Sequence, residues 1–314
     1  MTEELGNSVS VPDRLKADTE ETLRNICTKS GQPIASSLLD IQKLAFPREK
    51  SLSWFSNLEC LYLTGPMIGL FDRKRKSTSE VACPTTKCLG RRIFPSPFQE
   101  VARPFIAVSY TWNAPVGEPM SKGAYKVETR IDGQYDLNEV RDAVLDRVIG
   151  YAGYVACQYL WIDQECTNKE NKREHEVAMH NMDLVYRYSV YPVAVLSAEV
   201  RSDEELAILA CLLKGDFVHG DSISPPLHPN IDAQQSARKA LELLSRITSD
   251  IWWNRAWHYQ EDYNAGVRMR LLIRCHPNLE NIKQENKKLF GGLSGELTIS
   301  SADFRRELTR FCLA

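Results

Sequence analysis

This chain of 314 residues has no uninterrupted apolar run near the roughly 18 residues that a membrane helix requires. Its first segment, Met1 to Val11, is polar and lacks the apolar core of a secretory signal. Charge of one sign is also missing. Lysine and arginine number 39 against 41 acidic residues, for a net charge of -2. That balance lacks the basic footprint of a nucleic-acid partner. No GxxxxGK[ST] phosphate loop, glycine-rich dinucleotide fingerprint or GxSxG elbow occurs, so P-loop, Rossmann-type and α/β-hydrolase chemistry have no sequence support. The six histidines do not assemble a hydrolase. His175 falls in a charged helix start, and His258 reads as a packing residue. No internal repeat is visible.

The nine cysteines are an odd count and are scattered. Cys83 and Cys88 are the only close pair, and zinc needs two more ligands at suitable spacing. No metal is expected. Cys157 and Cys211 lie among apolar neighbours, as buried reduced thiols do. The expected compartment is reducing, cytosol or nucleus, with the cytoplasm as the favoured location.

With 43% hydrophobic and 25% charged residues, the composition is that of an ordinary soluble domain. The pattern divides into an N-terminal helical and loop extension over 1–99, a core over 100–275 and a C-terminal extension over 276–314. In the first region Thr19 to Cys27 and Ile34 to Leu44 have helical spacing. Arg73 to Lys76 reads as a solvated basic loop, with a nuclear-import or phosphate-binding patch as the alternative, and Pro95 and Pro97 end the region. The chain stops directly after an apparent helix, as a piece of a longer protein would.

From Pro104 the pattern sharpens. Phe105 to Tyr110 is a short apolar run of strand length. Tyr135 to Ile149 reads as an amphipathic helix, with Asp136 and Glu139 as a capping box. Tyr159 to Ile162 is a second strand, Glu174 to Tyr188 a second helix and Pro192 to Ser197 a third strand. This alternation predicts an α/β fold with a central, mainly parallel sheet. Lys214 to Asn230 reads as a long loop, Ser236 to Thr248 as a third helix and Val267 to Ile273 as a half-exposed strand.

Ligands of open parallel sheets bind at the carboxyl ends of the strands. Ser109, Tyr110 and Trp112 leave the first strand, and Asp163 leaves the second. The segment Trp252 to Glu261 holds three of the six tryptophans beside Arg255 and Glu261. These polar and aromatic residues gather on one rim. Each also has a plainer reading: Ser109 as a cap, Asp163 as a turn residue, Arg255 and Glu261 as a structural ion pair. That pair is six apart, and on a continuous helix would not face one another. Trp253 and Trp257, four apart, would share one helix face and line the core. Glu261, four beyond Trp257, would project from the end of that ridge, with its pKa raised by partial desolvation.

Three ordered blocks resemble the HET domain, the heterokaryon-incompatibility domain of filamentous fungi. They are Phe105 to Trp112, Tyr159 to Asn168 with the following Glu174 to Tyr186, and Trp252 to Glu261. Asn113 stands where the family usually has glycine. Cys166-Thr167-Asn168-Lys169 replaces the family's Cys-Ile-Asn-Gln, placing a cation near the expected site. HET domains are in turn similar to TIR domains, which are self-associating signalling modules, some of which cleave NAD. The resemblance implies a flavodoxin-like, TIR-like three-layer sandwich. It implies a role in nonself recognition and programmed cell death, with NAD as substrate rather than bound cofactor. By block order Glu261 matches the essential glutamate of those enzymes. Ser109, Tyr110, Trp112, Asp163, Arg255 and Trp257 are then the substrate-binding candidates. The partners implied are NAD or a related nucleotide, further copies of the chain, and a partner signalling domain. A non-catalytic, self-associating module that binds nucleotide or a partner domain is the alternative.

Overall fold

In interior parallel strands both faces are covered, so the sequence reads as an apolar run. Four segments behave this way in the computed structural model, which describes Gly31 and residues 48–63, 87–94, 103–115, 118, 120–131, 133–219 and 231–314. They are β3 (Phe105–Tyr110), β6 (Tyr159–Ile162), β7 (Val193–Val200) and β8 (Arg270–Cys275). Before them come helix α1 (Arg48–Ser56) and strands β1 (Glu59–Tyr62) and β2 (Lys87–Ile93). β4 (Tyr125–Glu128), β5 (Tyr135–Leu137) and β9 (Glu296–Ser300) complete a nine-stranded sheet of order β5-β4-β2-β1-β6-β3-β7-β8-β9. Residues Glu49–Ala314 form one compact unit.

The α/β class holds, but the sheet is mixed rather than mainly parallel. Among the described strands four pairings are parallel and four antiparallel. The parallel neighbours β6-β3-β7-β8 form the centre, where strand–helix alternation is clear in the sequence. Antiparallel β1 and β9 flank that block. Among these four strands, the chain leaving β3 goes on to β6 on one side, and the chain leaving β7 goes on to β8 on the other. The order therefore reverses between β3 and β7, and such a switch leaves a crevice at the strands' carboxyl ends.

Several elements differ from the sequence reading. The expected helix over Tyr135–Ile149 is split: Tyr135–Leu137 is strand, and helix α2 (Asp142–Tyr154) starts later, capped at Arg141 without a side-chain bond. Asn138 explains this. Its Oδ1 accepts from the amides of Gly123 and Tyr125, each at 2.9 Å, and its Nδ2 donates to the Val140 carbonyl at 2.6 Å. A side chain so engaged favours a loop over another helical turn. The Asp136–Glu139 capping box is therefore absent, and Leu137 is exposed.

After the short helix α3 (Asp163–Cys166), the segment read as one helix is α4 (Lys172–His180) and α5 (Met182–Tyr188), broken at Asn181. Its core face is as expected: Ala178, Met182, Val185 and Tyr186 are buried. Helix α6 (Asp203–Lys214) ends at Gly215 in the left-handed conformation (φ 77°), a usual helix stop. Helix α7 (Ile231–Thr248) covers the third predicted helix. The half-exposed strand expected over Val267–Ile273 is instead a 3-10 turn, Gly266–Arg268, followed by β8. Leu271, Leu272 and Ile273 are all buried, because β8 lies between β7 and β9. The predicted helices at Thr19–Cys27 and Ile34–Leu44, the basic run Arg73–Lys76, Pro95, Pro97 and residues 220–230 lie outside the described residues.

The remaining helices are α8 (Ile251–Asn254), α9 (Ala256–Ala265), α10 (Glu280–Glu285), α11 (Lys287–Phe290) and α12 (Ser301–Leu313). The break between α8 and α9 positions the site.

Candidate active site

Asp250 fixes the start of α8. Its carboxylate accepts from the Trp252 amide at 2.9 Å and from the Ser197 amide and hydroxyl, each at 2.6 Å. This ties α8 to β7 and drives Trp252 fully into the core. A buried indole N–H needs an acceptor. Trp252 Nε1 finds Ser109 Oγ at 2.6 Å, at the carboxyl end of β3. The Ser109 hydroxyl in turn donates to Glu261 Oε2 through a short hydrogen bond. Trp252, Ser109 and Glu261 thus form one buried chain of donors ending on a carboxylate.

Arg255 is the residue between the two helices, with extended backbone (φ −75°, ψ 132°). That break reverses two expectations. Arg255 and Glu261 do face each other, with Nη2 at 3.5 Å from Oε1. Trp253 and Trp257 do not share a helix face. Trp253 packs edge-on against Trp252 at 4.8 Å between ring centroids and stacks on Phe304 of α12 at 5.9 Å. Trp257 is 46% exposed, so it does not line the core. His258 packs its ring against Trp252 at 5.0 Å, and its Nδ1 lies 2.7 Å from the Arg255 carbonyl.

Glu261 is only 4% exposed. Burial raises its pKa above the usual carboxylate value. The Arg255 charge and the Ser109 and Tyr186 hydroxyls oppose that shift, while the charge of Asp163 adds to it. Tyr186 is itself buried and donates to the Val108 carbonyl at 3.0 Å. One nitrogen of Arg255, Nη1, is buried without a hydrogen-bond partner.

The other expected residues form an adjoining group. Trp112, 48% exposed, donates from Nε1 to Asp163 Oδ2 at 2.8 Å and so joins the ends of β3 and β6. Asp163 also opens α3, accepting from the Gln164 amide at 2.7 Å. Tyr110 is buried, and its hydroxyl donates to Gln164 Oε1 at 2.7 Å. Burial raises its pKa well above normal, with the Asp163 charge adding to the effect. Ser109, Arg255 and Glu261 therefore converge directly, and Trp112 and Asp163 pair beside them. Tyr110 is linked through Gln164, whereas Trp257 stays outside the buried network. Lys169 turns to Glu139, which neutralises it. Asn113 is exposed. Cavities of about 290 and 200 Å³ lie beside α3 and the loop that follows it, with Arg130, Thr167 and Asn168 lining both.

The sequence alone did not assign Trp252, Tyr186, Gln164 or Asp250 to the site. The demand of a buried indole for an acceptor was the available signal for Trp252. The partners of the other three depend on the fold.

Residues 105–261 match the family model described as heterokaryon incompatibility protein (HET), half of the chain. The chain belongs to the HET family. Membership points to a role in heterokaryon incompatibility and fungal cell death. Searches of curated proteins and of solved structures found no match. The HET match opens at the first residue of β3 and closes on Glu261, so it spans both ends of the Ser109–Glu261 contact. The HET segment is braced from beyond its end. Asp262 pairs with Arg305 of α12 at 3.1 Å, and Phe304 supports Trp253.

Proposed function

We propose that this HET domain hydrolyses NAD at the nicotinamide–ribose bond, with Glu261 as the carboxylate that meets the ribose. The observation that carries the reading is the buried Glu261 carboxylate, held by Ser109 and Arg255 at the end of β3. In the reaction the bond from ribose C1′ to the nicotinamide nitrogen breaks, and its electron pair leaves with nicotinamide. Water adds to C1′ and gives up a proton, yielding ADP-ribose. The ribose passes through an oxocarbenium-like state that a carboxylate stabilises, as in glycosidases. A raised pKa suits Glu261 to hold a ribose hydroxyl and to take the proton from water.

Arg255 has a spare buried N–H for the diphosphate, an anion that guanidinium binds well. Trp112 and Trp257 offer exposed rings for stacking on a flat base. Asp163 holds Trp112, and Tyr110 orders the rim through Gln164. In chain order the parallel strands run 2-1-3-4 across the sheet, which supports a flavodoxin-like, TIR-like arrangement. Ser109 lies at its switch point, paired with Ala194 of β7. Because Glu261 is 4% exposed, substrate entry requires its covering side chains to move. Turnover then depends on a second event such as self-assembly, in a cytoplasm that supplies the dinucleotide.

Purified protein incubated with NAD, with and without a crowding agent, is expected to release nicotinamide and ADP-ribose on chromatography. A folded Glu261→Gln variant of matched stability is expected to release neither. Equal turnover by that variant would remove Glu261 from the reaction.

A second reading, a non-catalytic self-associating module, has its own support. Tyr259 and Tyr263 on α9 are 67% and 71% exposed, with rings stacked at 6.3 Å. On this reading the double variant Tyr259→Ser/Tyr263→Ser stays monomeric in sedimentation at concentrations where the parent chain assembles. Unchanged assembly counts against it.

A further inference from the structure

A second polar cluster lies at the carboxyl ends of the central strands and has no part in the proposed hydrolysis. Glu118 projects from the loop after β3, and its side chain is buried. Its carboxylate is gripped on both oxygens: Arg141 Nη1 on Oε1, and Arg274 Nη2 on Oε2 at 2.5 Å. The two arginines are rooted on separate elements, the start of α2 and the strand β8. Arg141 is anchored independently of Glu118, since Nη2 donates to the Thr111 carbonyl at 3.0 Å.

A third guanidinium, Arg147, stands behind them, but it is fully committed. It bonds Glu296 at 2.5 and 2.8 Å, and it donates to the carbonyls of Leu196 and Leu272 at 2.5 and 2.9 Å. Thr111 follows the last residue of β3, Leu196 follows the β7 residue paired with Tyr110, and Arg274 is near the end of β8, so the cluster lies where β3 ends beside β7. With Glu118 in place, only about 10 Å³ of the crevice there remains open.

Three features describe an anion receptor rather than a simple brace. The two guanidiniums address two oxygens of one carboxylate, the geometry with which arginines hold phosphate. Arg141, almost fully buried, is among the residues that line this crevice, and its Nε has no hydrogen-bond partner. Helix α2 begins at the same point, and its N-terminal end adds positive potential. Glu118 is not itself part of a strand or helix but comes from a loop.

We infer that Arg141 and Arg274 form a binding site for a phosphate or diphosphate group, which Glu118 occupies as an intramolecular competitor. An external anion must displace Glu118, and its apparent affinity is reduced by the small fraction of chains in which Glu118 is out. The inference does not depend on NAD being hydrolysed. A free phosphate and the diphosphate of a dinucleotide share the required chemistry, and the test separates them.

The probes are inorganic pyrophosphate and NAD, titrated calorimetrically into the full chain and its variants. Glu118→Ala is expected to bind pyrophosphate roughly tenfold or more tightly than the parent. The added substitution Arg274→Met, at a partly exposed position, is expected to abolish that gain. An equal gain for NAD assigns the site to the dinucleotide, and a gain for pyrophosphate alone assigns it to a free anion. Either result supports the proposal. An unchanged pyrophosphate affinity in folded Glu118→Ala, or a gain that survives Arg274→Met, overturns it. Should Glu118→Ala fail to fold, Glu118→Gln keeps the volume and is compared in the same way. Failure of both variants to fold even with excess pyrophosphate makes Glu118 an irreplaceable brace and overturns the proposal as well.

Discussion

Glu261→Gln separates the chemistry of the buried carboxylate from its structural role. Two unit charges 3.5 Å apart attract by about 5 kcal/mol at an effective dielectric near 20. Burial nevertheless wins, because the Glu261 pKa is raised in spite of Arg255 and the hydroxyls around it. The charged carboxylate is thus held at a cost, and a neutral amide of the same shape avoids that cost while leaving Arg255 without its counterion. The two effects oppose one another, so the net loss of stability at neutral pH is expected to be smaller than the roughly 3–5 kcal/mol that removing one partner of a fully buried pair costs. The sign with pH follows from linkage. A raised native pKa means that the folded chain binds more protons than the unfolded one between the ordinary value of 4.5 and the native value. The Glu261 contribution is then fully present below 4.5 and is lost as pH rises through the native pKa. Urea unfolding of parent and variant across this range is expected to give a difference that shifts in favour of the variant as pH rises. A difference that stays flat with pH would refute the perturbed carboxylate.

Three further outcomes follow from the same network. Ser109→Ala removes the link between Trp252 and Glu261, leaves the buried Trp252 N–H without its acceptor and Glu261 Oε2 without that donor, and is expected to cost about 2 kcal/mol in urea unfolding. Arg255→Met removes the charge that lowers the Glu261 pKa, so the acid limb of NAD turnover is expected to move to higher pH in a pH–rate profile. Asp250→Ala strips the cap of α8 and the acceptor of Ser197, and a loss of about 3 kcal/mol is expected by chemical denaturation.

The centre of the fold was legible because its physics is local. Strands covered on both faces must be apolar throughout, and β3, β6 and β7 stand out for that reason. The meeting of Ser109 with Glu261 followed from the order of these strands and the helix after them. What was not legible depends on distant partners. β5 is three residues long and exists by pairing with β4, while Asn138 reaches back to Gly123 and Tyr125 to delay the helix. The apolar spacing of Trp253 and Trp257 suggested one helix. The bend at Arg255 has no proline or glycine to announce it, and Asp250 fixes α8 through contacts with β7. The Arg141–Glu118–Arg274 cluster joins residues more than 150 positions apart at its extremes, beyond any local pattern.

The brace between Asp262 and Arg305 bears on how such a domain can be moved between proteins. The match to the family model stops at Glu261, partway along α9, while β8, β9 and α12 follow it in the chain. A transplant cut at Glu261 would carry every recognisable motif and would still sever a helix, strip the neighbour of β7 from the sheet and leave Trp253 without Phe304. The smallest portable unit is therefore longer than the signature by which the family is recognised. Exchanges between family members are best joined outside that signature, beyond α12 rather than at Glu261.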